Sequence, residues 1–271
     1  MGFAHVEFLW FPVFSIDISP HAKNLANLIS GKKNGVCVRG FMSQNRINES
    51  FLAPYERALI QWILPKLPDK TTPDKLTALG TFGAFLVFIG YWATTLSPQC
   101  LWLANLGLLL HWFGDSLDGN LARYRKIERP RYGYFLDQTI DVVGNFLILF
   151  GFGLSPYLDM RIALIALTGY HMISIYVFVR AAITHDFHVA LANMGPTELR
   201  VLLVFTNLCI LTLGVWDFTV FGVTFSWVDL SVGGFGLAFM VNFVVQVTRF
   251  APVLREMDDK ERLERQAAEK R

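Results

Sequence analysis

Long apolar runs dominate the chain from residue 76 onward, and polar or turn-forming residues interrupt them. A membrane-spanning helix needs about 20 mostly apolar residues. Six stretches qualify: 76–96, 100–121, 134–154, 162–183, 199–215 and 223–247. Ser97-Pro98, Ser155-Pro156 and Gly195-Pro196 punctuate the gaps. Upstream, residues 47–64 carry a helical period. Phe51, Leu52, Tyr55, Leu59 and Trp62 fall on one face, with Glu56 and Arg57 elsewhere. That pattern suits a helix lying in the membrane interface or packed on the bundle. The expected fold is all-α: a polytopic membrane protein with six transmembrane helices within 71–250. An amphipathic segment, 42–70, precedes the bundle. A charged tail, 251–271, follows it and reads as a solvated helix. Residues 1–41 show no clear period. Met42 and the polar Ser43-Gln44-Asn45-Arg46 look like a start, so 1–41 is expected to be a non-native extension or a disordered segment.

Composition agrees with lipid as solvent. Hydrophobic residues make up 53% of the chain and charged residues 17%, against about a quarter charged in a soluble domain. The net charge of +2 gives no broad basic footprint, and no nucleic-acid partner is expected. The placement of charge says more. Arg123, Arg125, Lys126, Arg129 and Arg131 lie between the second and third spans; Lys66, Lys70 and Lys75 approach the first; Arg180 and Arg200 flank the fourth-to-fifth connection. On the other side only Arg161 stands out. Basic residues stay in the cytoplasm, so both termini and the second-to-third connection are expected there. Cys37, Cys100 and Cys209 are far apart and read as small hydrophobes rather than a thiol site.

The candidate chemistry sits between Gly114 and Gly144. Asp115 and Asp118 are three apart at the end of the second span, and Asp137 and Asp141 are four apart at the start of the third. Each spacing puts a pair on one helix face. Antiparallel neighbours bring both pairs to one depth. An ionised Asp within a span costs about 2.5–3.5 kcal/mol on insertion scales, and four would repel one another. A hard cation among them resolves both problems, and oxygen ligands suit Mg²⁺, Mn²⁺ or Ca²⁺; Mg²⁺ or Mn²⁺ is the expected cofactor. Gly119 lets a ligand approach the backbone closely, Ala122 keeps that face narrow, and Arg123 offers a fork for phosphate. Together they suggest a diphosphate substrate and phosphoryl-type transfer.

These residues resemble the CDP-alcohol phosphotransferase family, whose pattern is D-x2-D-G-x2-A-R-x8-G-x3-D-x3-D. Asp115, Asp118, Gly119, Ala122, Arg123, Gly133, Asp137 and Asp141 supply every fixed position. One departure is visible: nine residues, not eight, separate Arg123 from Gly133. Pro73-Asp74-Lys75-Leu76-Thr77 also resembles the family's entry into its first helix. The resemblance implies metal ligands at Asp115, Asp118 and Asp137. It makes Asp141 the general base, which also touches metal. It implies a CDP pocket lined by Gly119, Ala122, Arg123 and Gly133, a cytoplasm-facing site and a homodimer. The implied reaction moves a phospho-alcohol or phosphatidyl group from a CDP-linked donor to a lipid or alcohol acceptor, releasing CMP in phospholipid synthesis. Val142 after Asp141 disfavours the glycerol-phosphate branch, and Gln138 after Asp137 leaves the match to the choline and ethanolamine branch incomplete.

A second polar group, Arg180, Glu198 and Arg200, is the candidate lining of the acceptor pocket. Pro196, Thr197 and Glu198 also suit the start of a helix. Other classes fit less well. Prenyl transferases carry longer aspartate boxes without the Gly119, Ala122 and Arg123 set. A cation transporter needs polar residues through the far half of the bundle, which looks almost wholly apolar. A scaffold without activity does not need the intact motif.

Overall fold

The computed structural model describes residues 52–184, 195–220 and 222–269. Residues 1–51 lie outside that range, so the readings of an extension and of a start at Met42 fall outside the described residues. Seven helices follow in order: α1 Ala53–Ile63, α2 Pro73–Ala93, α3 Leu101–Tyr124, α4 Pro130–Gly153, α5 Met160–Thr184, α6 Pro196–Leu213 and α7 Trp227–Glu269. Short 3₁₀ turns, Leu64–Lys66 and Pro98–Cys100, lead into α2 and α3. Proline opens α2, α4 and α6, where its missing N–H costs nothing.

One element departs from the all-helical expectation. The strands β1 Asp217–Val220 and β2 Val223–Ser226 form an antiparallel hairpin. The run expected to be helical from 223 therefore begins as a strand. Val223, Thr224 and Phe225 are β-branched or aromatic, and such residues favour a pleated surface. The helix starts at Trp227, capped by Asp229, whose Oδ2 accepts the Ser226 N–H at 2.9 Å while Ser226 Oγ accepts the Asp229 N–H at 2.9 Å. From there α7 runs through Pro252 into the charged tail without a break.

Five helices are long and apolar enough to cross a membrane: α2, α4, α5 over Met160–Ile183, α6 and α7. The chain is a polytopic membrane protein. α3 has 24 residues, about 36 Å at 1.5 Å per residue, but Asp115, Asp118, Asn120 and Arg123 crowd its C-terminal part. The exterior is oily: Phe82, Phe85, Trp102, Leu109, Phe205 and Leu237 are each about half exposed or more. Such a surface suits acyl chains and not water.

Close backbone approach between α2 and α3 sets the position of the carboxylates. A Cβ at Gly114 would lie 2.3 Å from the Gly80 nitrogen, and one at Gly83 would lie 2.4 Å from the His111 nitrogen. Only glycine allows this contact, and small residues of this kind are how helices pack in lipid. The core beyond the glycine seam holds Val87, Tyr91, Leu101, Leu108, Ile148 and Phe152. It is not wholly apolar. Tyr91 donates to Asn207 Oδ1 at 3.1 Å, and Asn207 Nδ2 donates to Asn105 Oδ1 at 2.7 Å. The three groups bond one another inside apolar walls, tying α2, α3 and α6 together.

Candidate active site

The starts of α2, α4 and α6 and the ends of α3 and α5 meet at one end of the bundle. Arg125 fastens this end: its guanidinium donates to the carbonyls of Leu67, Pro68, Asp69 and Thr71. Arg129 pairs with Asp74 at 2.7 Å. Two of the basic residues that the sequence marks only as membrane-side anchors therefore also hold the connections in place.

Within this end the aspartates converge. Asp115, Asp137 and Asp141 each present a carboxylate oxygen within 4.8 Å of the others, a grouping that can hold a metal ion. Asp118 is turned differently. Its Oδ2 accepts the Thr77 hydroxyl at 2.7 Å, and its Oδ1 accepts the Gly119 N–H. Of the four expected ligands, Asp115, Asp137 and Asp141 thus lie at ligand distance of one another, with Asp118 held beside them by Thr77 and the Gly119 N–H. Spacing alone could not separate them, because Thr77 comes from another helix. All four carboxylates border one small cavity of about 10 Å³, with Thr77, Gly80, Thr81, His111 and Ile140. Asp115, Asp118 and Asp141 also line a larger space beside it. Oxygen donors in this number fit a hard divalent cation.

A larger cavity of about 310 Å³, with charged and apolar residues in its wall, lies alongside. Asp115, Asp118, Gly119, Arg123, Asp141 and Arg200 are in its wall. A Cβ at Gly119 would lie 3.6 Å from an Arg123 nitrogen, so its lack of a side chain keeps the wall open beside that guanidinium. Ala122 and Gly133 are not in the wall, and Gly133 is exposed in the first turn of α4. A third cavity of about 220 Å³ is apolar, built from Ile148, Leu149, Leu203, Phe235 and neighbours of α4 to α7. Asn145, Tyr170, Leu199, Arg200 and Phe239 belong to both larger cavities. A compartment with charged groups in its wall and an oily one therefore adjoin at the level of the carboxylates.

The family model for CDP-alcohol phosphatidyltransferase matches residues 70–247. The chain belongs to the CDP-alcohol phosphatidyltransferase family. Among curated relatives, a phosphatidylinositol phosphate synthase of Cutibacterium acnes is 42% identical over 85 residues, 31% of this chain and 38% of that protein. An archaetidylinositol phosphate synthase of Pyrococcus horikoshii is 32% identical over 123 residues, 43% of this chain and 65% of the relative. Another from Methanothermobacter thermautotrophicus is 31% identical over 136 residues, 50% and 66% of the two chains. The chain thus spans less than two thirds of each of these relatives.

Of the residues expected to line the acceptor pocket, Arg200 reaches both larger cavities. It is nearly buried and ion-paired to Asp115 Oδ2 at 2.7 Å. Glu198 braces backbone instead: its carboxylate accepts the N–H of Leu52 and of Gly195, each at 2.8 Å. The Arg180 guanidinium stacks 4.8 Å from the Phe250 ring centre. Neither Glu198 nor Arg180 is in the walls.

Sequence reasoning missed Glu56 and Arg57. Glu56 Oε1 accepts from Trp112 Nε1, Ser116 Oγ and Thr197 Oγ1, at 2.9, 2.8 and 2.9 Å. One carboxylate thereby pins α1 to α3 and α6, and the next residue, Arg57, joins the cavity wall. The outward face of α1 carries Tyr55, Leu59 and Trp62, all exposed, as an interfacial helix requires. A glutamate on the inward side of an amphipathic helix was the signal available.

Proposed function

We propose that this chain is a divalent-metal-dependent phosphatidyltransferase that takes a CDP-linked lipid and a phosphorylated polyol, with inositol phosphate as the first candidate. The observation that carries the reading is the meeting of two compartments at the carboxylates. A cavity with Arg57, Arg123 and Arg200 in its wall adjoins an apolar one through Asn145, Tyr170 and Arg200. A donor with a nucleotide diphosphate head and acyl tails matches that pair, which favours CDP-diacylglycerol or its archaeal counterpart over CDP-choline or CDP-ethanolamine. The names of the relatives favour the inositol phosphate acceptor.

Asp115, Asp137 and Asp141 would hold Mg²⁺ or Mn²⁺, with Asp118 beside them. The ion would neutralise the diphosphate and ease departure of CMP. Arg123 binds a phosphate of the donor, and Gly119 lets the nucleotide lie against α3. Asp141 takes the proton of the acceptor hydroxyl. The hydroxyl oxygen then forms a bond to the lipid-bearing phosphorus, the bond from that phosphorus to the CMP oxygen breaks, and CMP leaves with the electron pair. Arg200, held by Asp115, lies where it can orient an anionic acceptor. Six spans, with α3 as the sixth, put both termini and the site on the cytoplasmic side, where the basic residues gather. A homodimer fits the family's habit.

The test is CMP release from protein purified in detergent. CDP-diacylglycerol is paired with inositol phosphate, inositol, glycerol phosphate or serine, and CDP-choline with diacylglycerol. Metal-dependent CMP release with CDP-diacylglycerol and inositol phosphate, but not with inositol, supports the reading. Release with another pair reassigns the acceptor. Release that survives chelation rejects the metal.

A further inference from the structure

His111 is buried in the floor of the carboxylate cavity, and the reaction above gives it no task. It lies one helical turn before Asp115, on the same face of α3. It is 2% exposed, and neither Nδ1 nor Nε2 finds a hydrogen-bond partner among the described residues. In either charge state an imidazole carries at least one N–H donor. A buried polar group left unmatched costs about 1–3 kcal/mol, so native structures rarely leave one without an occupant to bond.

The surroundings make room for the ring. Across from it on α4 is Gly144, where a Cβ would lie 3.2 Å from Nε2 and 3.3 Å from Cε1. Gly144 is three residues beyond Asp141, so the ring lies about one turn below the carboxylates on both helices. His111 and all four aspartates border the same cavity of about 10 Å³. The carboxylates at ligand distance from one another are Asp115, Asp137 and Asp141, and His111 is not among them. The imidazole therefore faces the ion site without belonging to its immediate ligands.

We propose that His111 is a positioning residue for the metal ion: from the floor of the four-aspartate cavity, its ring bonds the water that accompanies the ion and so fixes how the ion is held. This rests on the reading that the cluster holds a divalent cation. Outer partners of this kind are typically worth about 10–100-fold in metal affinity.

The test is Mn²⁺ binding to the full chain in detergent, without substrate, followed by the loss of the free-ion electron paramagnetic resonance signal. His111→Ala is expected to weaken binding about 10–100-fold. Its metal-free thermal unfolding should stay at the wild-type temperature or above, since an unmatched buried group is gone. His111→Gln, which keeps a donor and an acceptor, should recover most of the affinity. A residue needed only for packing would lower metal-free stability in both variants and leave affinity unchanged, and that result overturns the proposal. The wild type gives a check independent of folding in the variants. With ¹⁵N-histidine label, bound Mn²⁺ should show a weak nitrogen coupling that a chelator abolishes, and its absence also overturns the proposal. Wild-type protein that binds no Mn²⁺ would sink the metal reading itself, whereas normal binding by both variants sinks only the role of His111.

Discussion

Both ends of the bundle carry aspartates, and they are treated in opposite ways. At the end opposite the cavity, Asp229 Oδ1 accepts the Asp159 N–H at 2.8 Å and its Oδ2 accepts the Ser226 N–H at 2.9 Å. Asp159 is paired with Arg161 at 2.8 Å. Each of these carboxylates has donors matched to it. At the site end, Asp115, Asp137 and Asp141 crowd within 4.8 Å, and the cation paired at close range with a member of that trio is Arg200. Structural aspartates complete a local cap. The crowded set brings three carboxylates within reach of a single ion, an arrangement that can hold a cation. Exposure does not separate the two classes, since Asp229 is the more buried; the convergence of three carboxylates within 4.8 Å does.

The widest gap between the ends should appear on removing one charge. Asp141→Asn is expected to lower CMP release about 100–10,000-fold, the range for a general base. Its metal-free fold should persist, because a mutual repulsion has been relieved. Chelation of the wild type should match that loss. Asp229→Ala should do the reverse: stability falls by about 1–2 kcal/mol, the typical worth of such a cap, with unchanged turnover per folded molecule. Thermal unfolding in detergent, run beside the CMP assay, checks both. An Asp141→Asn enzyme that works, or an Asp229→Ala enzyme that folds well but is inactive, would dissolve the distinction.

An intermediate effect belongs to Glu56, which resembles the far end in its bonding and the near end in its place. Its three hydrogen bonds hold α1 against the cavity. Glu56→Ala should raise the KM of a substrate about 10-fold by freeing α1 and Arg57, with kcat reduced less. Glu56→Gln keeps an acceptor oxygen and should restore most of it. Equal losses in kcat from both variants would mean that Glu56 acts in the chemistry rather than by placing Arg57.

How much of this was legible in the sequence follows the same line. The apolar runs and the Asp spacings are local, so five spanning helices and the facing carboxylate pairs could be read from periods of 3.6. Which carboxylates reach one another could not. Asp118 is drawn aside by Thr77, 41 positions away, and Arg200 joins Asp115 from 85 positions away. The glycine seam was readable in part: Gly80, Gly83 and Gly90 on one span and Gly107 and Gly114 on the next are the small residues that close helix contact in lipid needs. The hairpin was hidden because Val223, Thr224 and Phe225 are as apolar as the helix after them. The partners of Arg180 and Glu198 were hidden, like those of Asp118 and Asp115, by distance along the chain: Glu198 braces two backbone N–H groups, one of them 146 positions away, and Arg180 stacks on Phe250 of α7.

The smallest effect is expected at Asp159, and it calibrates the rest. Hydrogen bonds from Arg161 hold its carboxyl down at about 2, against about 3.9 when unperturbed. The folded value is the lower, so the pair stabilises the fold fully above about pH 4 and loses that contribution as pH falls through 2. Arg161 is largely exposed, and solvent screens such pairs, so the effect of Asp159→Asn at pH 7 should stay under about 0.5 kcal/mol. It should shrink further in high salt. Thermal unfolding of wild type and Asp159→Asn at pH 7 and pH 3 measures it directly. A loss as large as that of Asp229→Ala would mean that the Asp159 side chain holds the α4–α5 connection itself. The far end would then contribute more to the bundle than the Asp229 cap alone supplies.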